Sequence, residues 1–161
     1  MLTLAGTSSH LFDEARYPIA WRFNAADCAL SADDKQRVVL FDQAASQALW
    51  DRFIPVPSLI TELPSLFQCH EKTTLDFAQS AESSLFFERR LSPGADLLWL
   101  FWGRRCAAQV PRDIFIKCWD DFFYPSDENT ALVMPGSAEV IFSFEENFFY
   151  GQFVRPMAAP L

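Results

Sequence analysis

Apolar positions repeat at helical spacing most clearly between residues 42 and 53. Ala45, Leu49 and Phe53 recur every four residues, with Ala44, Ala48 and Trp50 alongside them. Side chains four positions apart lie on one face of a helix, so this period predicts an amphipathic helix over 42–53.

Weaker patterns lie on either side of this helix. Residues 17–23 alternate enough to predict a short strand, and Ser31 followed by Asp34 resembles the start of a capped helix. Prolines then interrupt the chain and leave room for at most a short helix at 58–63. Residues 82–91 favour a helix over a strand because their charged residues lie together without alternation.

The carboxy-terminal half consists of short apolar runs separated by turn residues, which is typical of a sheet. A helix interrupts it, beginning at Pro111 and running to about Tyr124. Within that helix Asp113, Lys117 and Asp121 are spaced by four, so they can form ion pairs along one face. The strands predicted around it are 97–102, 104–110, 130–134, 138–144 and 148–154.

These elements predict an α+β fold with a small antiparallel sheet, mostly in the carboxy-terminal half, packed against helices. Half of the 161 residues are hydrophobic, and a chain of this length buries about 70% of its unfolded surface. We therefore expect one domain over 1–161, with a loose arm at 1–16 and a frayed tail at 156–161.

Acidic residues outnumber basic ones by 21 to 13, which gives a formal charge of −8. Nucleic acid and anionic membranes are disfavoured as partners because both are bound through basic patches. A basic protein partner is favoured weakly, since an acidic composition also serves solubility. The amino terminus lacks the pattern of a secretory signal and no stretch is long and apolar enough to span a bilayer, so we expect a cytoplasmic protein.

The sequence contains no motif that predicts a cofactor or a metal. The four cysteines form no C-x-x-C pair, and the neighbours Cys69 and His70 would point to opposite sides of a strand. Neither a nucleophile elbow nor a phosphate-binding loop is present.

Carboxylates are the only reactive side chains that cluster along the sequence. They can face solvent, contact a basic partner, hold a divalent cation or act as an acid and base pair, and a solvated helix end is the simplest interpretation. The adjacent rings of Phe123 and Tyr124 either pack beneath another element or stand exposed as anchors. The carboxylates are Asp120, Asp121, Asp127 and Glu128, with Glu145 and Glu146 expected at the rim of the same sheet.

Four segments together resemble a group of small bacterial proteins: Ala20–Phe23, Ala48–Trp50, Phe115–Asn129 (FIKCWDDFFYPSDEN) and Phe149–Gly151. Some proteins with a similar W-D-D-F-x-Y-P-S-D-[DE]-N segment are immunity proteins, encoded beside polymorphic toxins of contact-dependent or type VI delivery systems. The resemblance implies a small, cofactor-free protein that neutralises a cognate toxin by binding it. It brings no catalytic residues with it, and it does not cover residues 55–92.

We therefore predict a non-catalytic protein of the immunity type whose partner is a basic toxin domain. The alternative is a carboxylate-dependent hydrolase or a divalent-metal-binding protein that uses Asp120, Asp121, Asp127 and Glu128. Homo-oligomerisation is compatible with both. The residues expected to bind the partner are Asp120, Asp121, Phe123, Tyr124, Asp127, Glu128, Glu145 and Glu146.

Overall fold

The structure is a computed structural model that describes residues 12–56, 66–91, 94–123, 130–144 and 147–154. Across these ranges one antiparallel sheet carries helices on both of its faces. The α+β class and the mainly carboxy-terminal position of the sheet are as predicted from the sequence.

The helices of the described ranges are short, and none is long and apolar enough to cross a membrane. A 3₁₀ turn at Phe77–Gln79 directly precedes the helix that begins at Ser80. The α-helices are α1 (Ala20–Asn24), α2 (Ala32–Arg37), α3 (Gln43–Phe53), α4 (Ser80–Arg90), α5 (Arg112–Lys117) and α6 (Trp119–Phe122).

Seven strands within the same ranges pair in the order β1-β4-β3-β5-β6-β7-β2. The two edge strands come from the amino-terminal half of the chain, so the sheet is larger than the sequence predicts. The strands are β1 (Val39–Phe41), β2 (Phe67–Thr74), β3 (Leu97–Trp102), β4 (Ala107–Pro111), β5 (Thr130–Val133), β6 (Glu139–Phe144) and β7 (Asn147–Phe153).

Side-chain caps set the starts of two predicted helices. The Ser31 hydroxyl accepts a 3.1 Å hydrogen bond from the Asp34 backbone N–H, and the Asp42 carboxylate accepts one of 2.9 Å from Ala45. Each bond satisfies a backbone donor that has no partner within its helix. The predictions of helices at these positions are confirmed.

The prediction of a strand at residues 17–23 is wrong, because Ala20–Asn24 is helical. Ala20 and Phe23 are both fully buried, whereas Trp21 between them is 46% exposed. Buried residues three positions apart are typical of a helix. Over so few residues the same sequence also fits the alternating pattern of a strand. Burial against the rest of the protein decides between the two.

The predicted helix over residues 111–124 is interrupted at Cys118. Its backbone N–H donates to the carbonyls of both Ile114 and Phe115, and its φ of −128° lies outside the helical region. The interruption leaves two short helices, α5 and α6, and the apolar side chains Ile114, Phe115, Trp119 and Phe122 of both pack in one hydrophobic cluster.

Alternation along the strands divides the core between two faces of the sheet. On the inner face, Leu98 and Leu100 of β3 pack with α1, α4, α5 and α6. On the outer face, Phe101 of the same strand packs with Trp50 of α3. Most of the large aromatic content therefore fills two hydrophobic clusters, one on each side of the same sheet.

Candidate functional site

The predicted partner surface is only partly described by the structure. Asp120, Asp121 and Phe123 lie within the described ranges, and Asp120 is partly exposed on α6. The remaining residues of that prediction lie outside the described residues: Tyr124, Asp127, Glu128, Glu145 and Glu146.

The Asp121 carboxylate lies inside the protein, with its side chain only 5% exposed. Its Oδ1 accepts a 2.6 Å hydrogen bond from Nη2 of Arg22, and its Oδ2 accepts one of 2.9 Å from the Ala29 backbone N–H. Burial raises the pKa of the Asp121 carboxyl, and the Ala29 amide and the Arg22 guanidinium oppose that rise. Contrary to the prediction, Asp121 binds groups of its own chain instead of facing a partner.

Phe123 is also an interior residue, at 1% exposure. Its ring lies 5.5 Å from that of Phe87 and 5.1 Å from that of Phe148. Of the two alternatives that the sequence allowed, packing beneath another element is the one observed. Phe123 is therefore part of the inner core and cannot serve as an exposed anchor, which corrects its place in the predicted surface.

The predicted ion pairs along one helix face do not form. The carboxylate of Asp113 accepts two 3.0 Å hydrogen bonds from Arg37, and Nζ of Lys117 donates a 2.7 Å bond to Asp34. The Lys117 ammonium holds the pKa of the Asp34 carboxyl below its usual range. These charges fasten α2 to α5.

The part of the chain that the structure describes contains no group of three or more His, Cys, Asp or Glu side chains able to hold a metal ion. His70 is exposed at an irregularity in the pairing of β2 with β7, and its ring lies 5.8 Å from that of Tyr150. Burial raises the pKa of the Cys118 thiol to about 11. That thiol stays protonated at neutral pH and is a poor nucleophile.

An apolar surface that the sequence did not predict lies on the outer face of the sheet. Val39 of β1 is 45% exposed and Leu97 of β3 is 42% exposed. Between them runs β4, whose Gln109 pairs with Val39 on one side and with Trp99 on the other. All four side chains point to the outer face by alternation, and we refer to Val39, Leu97, Trp99 and Gln109 as the outer patch.

Aromatic rings support the outer patch from one side. The indole of Trp99 lies 5.5 Å from the ring of Phe41 and 6.1 Å from that of Phe53. Its Nε1 is buried without a hydrogen-bond partner. Trp99 also pairs with Val133 of β5, which lines a hollow of about 520 Å³ on the same face. The outer patch therefore lies beside this hollow.

A cleft of about 560 Å³ adjoins the outer patch through Leu97, which belongs to both. The two cations that line the cleft differ in their bonding. Arg37 is paired with Asp113, whereas Arg112 forms no salt bridge among the described residues. The lining residues are Arg37, Asp96, Leu97, Pro111, Arg112 and Asp113.

Sequence patterns contained little that could have revealed this surface. The run Leu97–Trp102 is apolar at every position and therefore predicts burial on both faces, although Leu97 at its start is exposed. Val39 lies in a three-residue strand, too short for alternation to be recognised. Arg112 looks like any residue of a first helical turn until its surroundings are known.

Comparisons of the chain with protein-family models, with curated proteins and with solved structures gave no match. The described surface is what remains to indicate a function. Its two distinctive features are the outer patch and the cleft beside it.

Proposed function

We propose that this protein acts by binding another protein, and that the outer patch forms part of the contact surface. The observation that carries the proposal is the exposure of Val39 and Leu97 on one face of the sheet, beside the half-buried ring of Trp99. Exposed apolar side chains that share one face of a sheet and lie beside polar groups are typical of protein interfaces.

The outer patch has a rigid base. Leu97 and Trp99 lie on β3, which is paired on one side with β4 and on the other with β5. A surface built on paired strands loses little conformational entropy when it binds, so more of the contact energy is available as affinity.

We propose further that the partner is a bacterial toxin, which the protein neutralises in the cytoplasm. Support comes from the segment Phe115–Asn129, which resembles immunity proteins, and from the net charge of −8, which suits a basic toxin domain. The partly exposed Asp120 belongs to this segment and is available to a basic group.

The carboxylate-based enzyme receives less support. It needs two carboxylates that are open to a substrate or a metal ion. Asp121, one of the four proposed, instead binds Arg22 and the Ala29 amide with both of its oxygens.

Co-expression in a bacterial host tests the proposal. The carboxy-terminal domain of the protein encoded beside this chain is induced with and without it, and we expect growth to stop in the absence of this chain and to recover in its presence. Val39→Ser combined with Leu97→Ser should weaken the recovery. Leu85→Ser is the matched control, because Leu85 is 43% exposed on α4, across the sheet from the outer patch.

Two results contradict the proposal in different ways. If the neighbouring domain does not inhibit growth, or inhibits it whether or not this chain is present, the toxin partner is wrong. If recovery is full with the Val39 and Leu97 variant folded, the contact surface is wrong.

A further inference from the structure

Arg112 forms no salt bridge among the described residues. Five other arginines each form one with a carboxylate: Arg16, Arg22, Arg37, Arg90 and Arg104. Nε of Arg112 is buried with no hydrogen-bond partner. Its one hydrogen bond from the guanidinium, among the described residues, runs from Nη2 to the Leu91 carbonyl at 3.5 Å, the outer limit for such a bond. Because Nε is buried, an added carboxylate can reach only the terminal nitrogens Nη1 and Nη2, of which Nη2 alone forms the long bond to Leu91. A charged hydrogen bond to these nitrogens in a partly buried position is stronger than one at an exposed site.

The other charges of the cleft do not satisfy Arg112. Arg37 and Asp113 are bound to each other through two hydrogen bonds of 3.0 Å. Asp96 is exposed and its carboxylate forms no salt bridge within the described ranges. Its backbone carbonyl accepts a 2.9 Å hydrogen bond from the Arg112 backbone N–H. With two cations and two anions lining the cleft, its formal charge is zero, so long-range attraction does not favour small free anions.

Selectivity in this cleft must therefore come from groups in direct contact. Leu97 lines the cleft and is also exposed in the outer patch, so an apolar surface continues into the space beside Arg112. A ligand that fits both features carries a carboxylate next to an apolar group. Neighbouring side chains of a protein segment provide that combination.

We propose that the cleft receives an acidic side chain of the partner protein, bound by Arg112, while an adjacent apolar side chain of the partner covers Leu97 and Val39. This inference rests on the proposed function and specifies the partner's chemistry at one point. The planar guanidinium suits a carboxylate because it can donate two parallel hydrogen bonds. The partner is thus recognised through an acidic and apolar segment, even if its overall charge is positive.

A displayed library of random peptides, selected on the full-length protein, tests the inference. We expect the selected peptides to share an Asp or Glu beside a large apolar residue. Changing that acid to its amide should weaken binding about tenfold or more, as expected for the loss of a charged hydrogen-bonded pair. Binding is measured by fluorescence anisotropy.

Variants of the protein locate the effect. Arg112→Gln should weaken binding of the acidic peptide about as much as amidation of the peptide does, and the two changes together should cost little more than either alone. Arg112→Lys should restore part of the loss, because it keeps the charge without the planar fork. Arg105→Gln is the charge-matched control on an exposed residue outside the cleft, and it should leave the affinity unchanged.

Selected peptides without acidic residues, acidic peptides that bind folded Arg112→Gln with full affinity, or a failure to select any peptide would overturn the inference. None of these results decides the proposed function, because growth recovery from the toxin measures that separately. Thermal melting of each variant shows whether it is folded.

Discussion

Arg22 and Asp121, 99 positions apart in the chain, form a buried ion pair with 2.6 Å between Nη2 and Oδ1. Their side chains are 8% and 5% exposed. Arg22 lies in the segment Ala20–Phe23 and Asp121 in Phe115–Asn129, two of the segments on which the proposed immunity function draws. The pair fastens α1 to α6, so both residues have a role in the fold.

We expect Asp121→Asn to lower the free energy of unfolding by about 3–5 kcal/mol, because it leaves the Arg22 guanidinium buried without its closest counter-charge. Urea denaturation monitored by tryptophan fluorescence measures the change. The double variant Arg22→Met with Asp121→Leu should be more stable than Asp121→Asn, since both charges are gone. A loss below about 1 kcal/mol for Asp121→Asn would mean that the pair is not held in the interior as described.

The ion pair between Asp34 and Lys117 should make stability depend on pH at the acidic end. The pKa of Asp34 is lowered in the folded protein, mainly by the hydrogen bond from Lys117. Such a group stabilises the fold at pH values above its unfolded pKa of about 3.9, and the contribution is lost as the pH falls through the folded pKa. The gap in unfolding free energy between the native protein and Asp34→Asn should therefore be constant from about pH 7 to 5 and shrink below about pH 4.

Asp33→Asn is the control for this titration, because Asp33 is exposed in the same turn of α2 and forms no salt bridge among the described residues. Its unfolding free energy should follow that of the native protein across the range. A gap for Asp34→Asn that widens as the pH is lowered would contradict the sign of the effect.

Gly151 allows β7 and β2 to approach closely. It pairs with Cys69 of β2, and an added Cβ would collide with the Gln68 carbonyl oxygen and lie 2.9 Å from the Phe67 ring. Because a backbone atom blocks the space, we expect Gly151→Ala to cost about 1–3 kcal/mol and to loosen β2. Hydrogen exchange should accelerate in β2 before it does in β3. Gly94→Ala is the control, since nothing lies within 4 Å of the Cβ position there.

Sequence patterns predict the helices and strands that have a clear pattern of apolar residues. They miss the elements whose conformation depends on contacts with residues far away in the sequence. The apolar run of β3 was recognisable because four of its six residues are buried, and the period of α3 because Leu49 and Phe53 pack beside the buried Trp50. Strand β2 was not, since its side chains are mostly exposed at an edge and its register shifts between Cys69 and Glu71. Edge strands carry a weak apolar signal because little covers them.

The candidate site was harder to predict than the fold for the same reason. Clustered acids predicted a surface at Asp120 and Asp121, yet the second of these is neutralised by an arginine from the other end of the chain. Which charges remain exposed depends on pairs that only folding brings together. The unpaired state of Arg112 and the exposure of Leu97 are likewise properties of the tertiary structure.

Two tryptophans on the same strand offer a test of how the outer patch differs from the core. Trp102 is buried on the inner face, and its Nε1 donates a 2.8 Å hydrogen bond to the Phe122 carbonyl. Trp99 lies on the outer face with Nε1 buried and unpartnered.

Trp102→Phe should lower the unfolding free energy by about 2–4 kcal/mol, because it leaves a cavity and a carbonyl without its donor. Trp99→Phe removes no hydrogen bond and should cost about 1 kcal/mol or less, since the lost area is offset by removal of an unsatisfied donor. Urea denaturation of the two variants side by side measures the difference. Equal losses would show that the Trp99 indole is packed and bonded like a core residue, and would weaken the case that this face of the sheet is kept for contact with another protein.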